Sequence, residues 1–209
     1  LAKIYVDRTA DKGGSCAFVG DVAVWYPLRV IMDILGVPES DEPRMLKLTQ
    51  ELFGATDPEL GRQGGTPGGF GALMSDEAVA SLQGVVMDFF QYFNAITEDR
   101  RATPRDDVAS IIANGKIDGQ PLDPFNAMSY YVILAAAGHD TTSASTAGGP
   151  WALIDNPAEF RKLKDNPALM PSFVEEAIRW TTPVRHFMRS ATQDYELRGQ
   201  TIKKDDWLM

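Results

Sequence analysis

The residues with the most chemical capacity stand in one short run, AAAGHDTTSAS, at positions 135–145. It closes an apolar stretch, NAMSYYVILAAAG, so a glycine, a histidine, an acid and two threonines sit where a core helix is expected. Polar groups in such a place cost free energy unless they are paired or put to use. Gly138 inside a helix costs up to ~1 kcal/mol relative to alanine. Something flat or bulky lying against the backbone would account for it. Ala135, Ala136 and Ala137 keep the surroundings thin. The Thr141 hydroxyl can bond the carbonyl four residues back, at Ala137, which competes with the helical ladder and can open a local groove. Asp140 beside Thr141 is then an acid next to an alcohol, suited to relaying protons. The alternative is close helix packing through small residues, with the hydroxyls satisfied locally.

A second pair is Glu176 and Arg179, in VEEAIRW. Their i, i+3 spacing sets them on one helix face as an ion pair. Such pairs are ordinarily surface features of small weight, although the apolar-flanked TTPVRHFMRSA that follows would fit burial. The chain's two histidines, His139 and His186, lie far apart with no nearby carboxylate or thiolate grouping, a poor basis for a metal site.

Helices must position these groups. Tyr26 to Leu35 forms one, stopped by Gly36 and Pro38. EPRMLKLTQELF forms another, closed by Gly54. Residues 57–73 are rich in glycine and proline and form a long loop. Ser75 caps the next helix, whose apolar stripe is Val79, Leu82, Val86, Phe89, Phe93 and Ile96. DDVASIIANG is a short helix and KIDGQPLD a small hairpin. Asp123-Pro124 opens the helix holding the central run. Ending at Gly148, it would be about 39 Å long at ~1.5 Å per residue. It is apolar on every side around Tyr130 to Gly138, as a helix through the centre of a fold would be. NPAE at 156–159 has the capping-box pattern, and Pro171 opens a further helix. After Pro183 the text turns strand-like, with a turn at Gly199. A mainly α fold with a minor β-sheet follows.

Composition narrows the function classes. Of 209 residues, 44% are hydrophobic, as in a folded domain. A net charge of −9 argues against binding nucleic acid or an anionic membrane through bulk charge. Cys16 is the single cysteine, read as a small buried hydrophobe, and a reducing cytoplasm fits. No apolar run reaches the ~20 residues of a membrane span.

Taken in order, Ala137-Gly138-x-Asp140-Thr141-Thr142 resembles the central-helix motif of the cytochrome P450 superfamily, the haem-thiolate monooxygenases. Glu176-x-x-Arg179 resembles that family's other internal signature. PVRHFMRSATQDYELRGQTIKK is similar to its sheet region, and the glycine loop with the Ser75 helix falls where the family has its substrate-access lid. The likeness is to bacterial soluble members, those acting on terpenoids or steroids in particular, and covers nearly the whole chain as the central portion of the fold.

The resemblance implies haem as cofactor, dioxygen as co-substrate, a small apolar substrate, a ferredoxin-type electron donor, and hydroxylation as the reaction. Ala137 and Gly138 match the thin face over which oxygen binds, Thr141 the alcohol that hydrogen-bonds it, and Asp140 the acid that relays protons. Glu176 and Arg179 match a structural ion pair. Arg189 matches the cation that holds a haem propionate, its alternative being an exposed strand arginine. Ile133 and Val184 are candidates for the substrate pocket, or plain core residues. The family's cysteine ligand has no counterpart in residues 1–209, and the front of the family fold is likewise missing, so a partial, inactive chain is expected. The rivals are a catalytically dead fragment and a haem-free helical binder of apolar ligands.

Overall fold

The elements follow from where apolar side chains recur and where caps stop them. They are seen in a computed structural model that describes residues 1–13, 15–54, 57, 59–60 and 76–209. The glycine-rich loop and the Ser75 cap expected above lie outside the described residues, apart from positions 57, 59 and 60. The chain divides into two units, Leu1–Ala147 and Gly148–Met209.

The first unit is helical. Helix α1 (Ala2–Asp11) buries Tyr5. A π-helical turn (Val19–Ala23) leads into α2 (Trp25–Leu35), which Gly36 closes at φ 75°, a left-handed position that suits glycine. Helix α3 (Glu42–Phe53) and the long α4 (Asp76–Ala102) follow. Helix α5 (Val108–Asn114) is capped by Asp107, whose carboxylate accepts the Ser110 N–H at 2.7 Å. Strands β1 (Lys116–Ile117) and β2 (Gln120–Pro121) pair antiparallel. Their two-residue turn, Asp118 and Gly119, has positive φ at both positions, the type I′ geometry that matches strand twist. Helix α6 (Pro124–Asp155) starts from Asp123, which accepts the Phe125 and Asn126 N–H groups at 3.0 and 3.1 Å.

Leu28, Met32 and Leu35 of α2, Met45 of α3, Phe89 and Phe93 of α4 and Tyr131 of α6 make a dry core. Phe93 stacks on Tyr131 with centroids 4.5 Å apart, and the Tyr131 hydroxyl donates to the Ala109 carbonyl at 3.0 Å. Burial of both ring and hydroxyl is thus satisfied.

Four expectations are corrected here. The buried row of α4 is Val85, Phe89, Tyr92 and Phe93, while Val79, Leu82 and Val86 are exposed; apolar residues occur on more than one face, and packing against α5 and α3 selects among them. Helix α6 is not enclosed around Tyr130–Gly138, because Tyr130 and Ile133 are bare. Cys16 is half-buried rather than buried. Finally, α6 runs past Gly148 to Asp155. In the second unit a Cβ at Gly148 would collide with Thr181 Cγ2, and one at Gly149 would lie 2.9 Å from Ala177 Cβ. These glycines serve close helix contact, not helix termination.

The second unit contains the last turns of α6, then α7 (Pro157–Asp165), a 3-10 turn (Pro167–Leu169) and α8 (Met170–Thr181). The expected cap of α7 does not form: Asn156 instead donates backwards to the Ala152 carbonyl at 2.8 Å. The minor sheet consists of two antiparallel pairs. Strand β3 (Arg189–Ser190) pairs with β6 (Trp207–Leu208), and β4 (Tyr195–Leu197) with β5 (Gln200–Ile202), turning at Arg198 and Gly199 with positive φ. Among the described residues no helix is long and apolar enough to cross a membrane.

Candidate functional site

Helix α6 sorts its side chains by face. Tyr131, Ala135 and His139 point into the first unit's core at 1%, 0% and 1% exposure. Ile133 and Ala137, four residues apart, lie on an exposed face, and the partly exposed Thr141 continues it at the same spacing. Ile133 is thus a bare side chain and not a core residue.

The hydroxyls act as their spacing requires. Thr141 Oγ1 donates to the Ala137 carbonyl at 2.9 Å, and Ser145 Oγ donates to the Thr141 carbonyl at 3.0 Å. Each side-chain bond competes with the ladder along one stripe. Gly138 faces the other way: a Cβ there would come within 2.9 Å of Ile31 Cδ1 on α2. The glycine therefore has a reason of its own in helix packing, while Ala137 occupies the open face.

Asp140 lies between the two environments, its side chain about a third exposed. Its Oδ2 is buried and finds no hydrogen-bond partner among the described residues, and its Oδ1 lies 3.6 Å from His139 Nδ1. Burial holds the Asp140 carboxyl above the usual carboxylate range, and the charge of His139 works against that. An acid biased toward its protonated form thus stands next along the chain to an alcohol on the exposed stripe.

His139 was not recognisable as a site residue from the sequence. Its Nε2 lies 3.0 Å from the Val24 carbonyl and its Nδ1 3.1 Å from Thr49 Oγ1. Those partners are 115 and 90 residues away. The sole local signal is a histidine in an apolar helix, which must find partners somewhere if buried.

The remaining residues lie in the second unit. Arg179 Nε and Nη2 donate to the two Glu176 oxygens, both at 2.6 Å, in a bidentate pair that is 66% and 56% exposed. The Arg179 bond holds the Glu176 carboxyl below its usual range. Arg189 on β3 donates to the Met188 carbonyl at 2.8 Å and lies over the Phe187 ring; it forms no ion pair among the described residues. Val184 is 42% exposed, outside any core. Ile133, Ala137, Asp140 and Thr141 are thus brought together on α6, with Gly138 and His139 turned inward; Glu176, Arg179, Val184 and Arg189 belong to the other unit.

Among the described residues no group of three His, Cys, Asp or Glu could hold a metal ion. In residues 1–147 the exposed face at Ala137 is thin enough to take a flat group, and in the other unit, considered by itself, the Arg189 guanidinium is a donor suited to carboxylates.

Comparison with known proteins agrees over almost the whole chain. No protein-family model matches it. It is 46% identical to cytochrome P450-terp of a Pseudomonas species, over 100% of this chain and 48% of that protein. It is 33% identical to the methyl-branched lipid omega-hydroxylase of Mycobacterium tuberculosis, over 96% of this chain and 42% of the relative. Among solved structures, CYP108D1 of Novosphingobium aromaticivorans matches with a TM-score of 0.80 and 44% identity, covering 99% of this chain and 45% of that one. Cytochrome P450 CYP268A2 of Mycobacterium marinum, solved with pseudoionone, matches with a TM-score of 0.83 and 32% identity, covering 99% and 47%. The chain spans about half the length of the curated relatives it matches.

Proposed function

The chain belongs to the cytochrome P450 superfamily, and on that premise we propose that the whole protein is a haem-dependent monooxygenase that hydroxylates a small apolar molecule of terpenoid or steroid type. Dioxygen is its co-substrate, a ferredoxin-type protein its electron donor and the cytoplasm its compartment. The observation that carries this reading is the arrangement on α6: a thin exposed face at Ala137, a hydroxyl at Thr141 on the same stripe, and a half-buried acid at Asp140.

Haem, when bound, supplies the activation of dioxygen; the polypeptide supplies position and protons. Ala137 leaves room for a flat group. Gly138 lets α6 approach α2 closely, which fixes the level of that face. Thr141 holds its hydroxyl at the face through the Ala137 carbonyl. Asp140 holds a proton beside it. Arg189 would hold a propionate through a charge-assisted bond. Glu176 and Arg179 act as a structural pair and do not touch the reacting atoms. Ile133 and Val184 offer apolar surface to the substrate. We assign the iron ligand to no residue of 1–209.

The reading is supported by relatives that carry hydroxylase and monooxygenase names, among them a steroid C26-monooxygenase of Rhodococcus jostii at 31% identity. Its test is a haem titration of the whole protein, followed by absorbance. The expected result is stoichiometric haem uptake, with a Soret band that shifts on adding terpenoids or steroids. Binding of those apolar compounds with no haem uptake would establish the haem-free binder instead.

A further inference from the structure

His139 is buried deeper than either residue of the acid–alcohol pair, and its two ring nitrogens tie three elements together. Nε2 reaches the carbonyl of Val24, the residue before α2; Nδ1 reaches the Thr49 hydroxyl on α3. A carbonyl can only accept, so Nε2 carries a hydrogen. Nδ1 can then be bare or protonated, and Thr49 accommodates both. Its single hydroxyl hydrogen has two acceptors, Nδ1 at 3.1 Å and the Leu46 carbonyl at 3.0 Å. With Nδ1 bare, the hydroxyl turns to the ring. With Nδ1 protonated, the ring donates to Oγ1 and the hydroxyl turns to Leu46. Neither state leaves a ring nitrogen unsatisfied.

The other neighbour of Nδ1 is Asp140, with Oδ1 at 3.6 Å and Oδ2 buried without a partner among the described residues. Neutral imidazole with a protonated carboxyl, and imidazolium with a carboxylate, contain the same number of protons. Both carry zero net charge. A proton can therefore move between the two groups without placing an uncompensated charge in a dry site, the event that burial penalises. The charged groups on α2 and α3 have partners of their own: Arg29 with Asp33 and Glu42, Lys47 with Glu51, and Arg44 over the Tyr92 ring.

We propose that His139 is the positioning residue behind Asp140 and the second holder of its proton. A small rotation of the Asp140 side chain closes the remaining distance. The Nδ1–H bond breaks as the Oδ1–H bond forms, and the Thr49 hydroxyl turns from the Leu46 carbonyl to the bared Nδ1. Rotation in the reverse sense returns the proton. The inference rests on the reading of Asp140 as a proton donor, and adds a refill for it from the buried side of α6, away from substrate.

The test is the ring 15N spectrum of His139 in the full chain, read through two-bond N–H correlations. His186→Gln removes the other histidine of residues 1–209, and the signals lost in His139→Gln are those of His139. Asp140→Asn keeps the shape and removes the acid; the native Nδ1 signal averages the bare state with a share of the imidazolium–carboxylate state, so losing that share is expected to carry the signal the rest of the way to the bare, pyridine-type position. Asp140→Glu keeps an acid and is expected to leave the signal near its native place. An Nδ1 signal identical in the native chain and Asp140→Asn overturns the proposal, because a purely structural histidine would not respond. Product formed per reduced cofactor tests Asp140 as a donor in turnover, and that reading can fail while the spectral response stands.

Discussion

Each unit of the molecule carries an arginine–carboxylate pair at short distance, and the two differ in what surrounds them. In residues 1–147, Arg100 is 5% exposed. Its Nε donates to Asp107 at 2.7 Å and its Nη2 to the Gly36 carbonyl at 2.6 Å, and it also touches Asp99. Asp107 is itself 7% exposed and caps α5. In residues 148–209, Arg179 and Glu176 meet at two contacts of 2.6 Å with more than half of each side chain in water. The second pair has the better geometry and the smaller consequence. Burial, not contact length, decides what a broken pair costs, because the deserted partner must keep a charge out of water. The same contrast holds for the apolar groups. The first unit packs seventeen buried hydrophobic residues into one cluster, whereas among the described residues the second buries Ala177 alone.

The largest effect that sharpens this contrast is Arg100→Ala. It strands Asp107, and a loss of about 3–5 kcal/mol is expected in chemical denaturation of the chain. Glu176→Ala, measured alongside, should leave the midpoint unmoved. Equal losses in the two variants would break the comparison. Next in size is Gly138→Ala, which sets a methyl against Ile31 and is expected to cost about 1–3 kcal/mol. Adding Ile31→Ala, which removes the two nearest atoms, Cδ1 and Cγ1, should recover part of that loss; additive losses would show that the glycine serves something other than this contact.

A smaller effect appears in the pH dependence. Burial pushes the Asp107 carboxyl up, and the bonds from Ser110 and Arg100 more than reverse this, so it titrates below the usual range. A carboxyl with a depressed folded value contributes stability above its ordinary pKa of ~3.9. That contribution is lost as pH falls through the lower folded value. Asp107→Asn should therefore flatten the acid side of the stability curve, read as urea midpoints over a pH series. Glu176→Gln should leave it close to native, although Arg179 depresses Glu176 in the same direction. Parallel curves for Asp107→Asn and native protein would contradict the account of the buried pair.

What could be read from the sequence is what is local along the chain. The Thr141–Ala137 bond is four residues long, the Glu176–Arg179 pair three, and the Gly36 stop one turn; each is fixed by helical spacing before any packing occurs. What needed the fold was contact between distant segments. Gly148 read as a helix end, but a Cβ there would meet Thr181, and α6 continues. Asn156 read as a cap, but its amide is used backwards on Ala152. The exposure of the Glu176–Arg179 pair depends on what packs over α8, which spacing does not encode. His139 is the clearest case. Its type and place were plain, yet its partners come from two other elements, and its proximity to Asp140 emerges once those partners orient the ring.

On the proposed reading, Asp140 and Thr141 deliver protons at the exposed face of α6. The direct measurement is product formed per NAD(P)H consumed by the haem-loaded whole enzyme, native against Thr141→Ala. The account predicts that cofactor consumption continues in the variant while product falls, the electrons being lost to reduced oxygen. An unchanged ratio would contradict it, and would leave the Thr141 hydroxyl as a helix-packing feature.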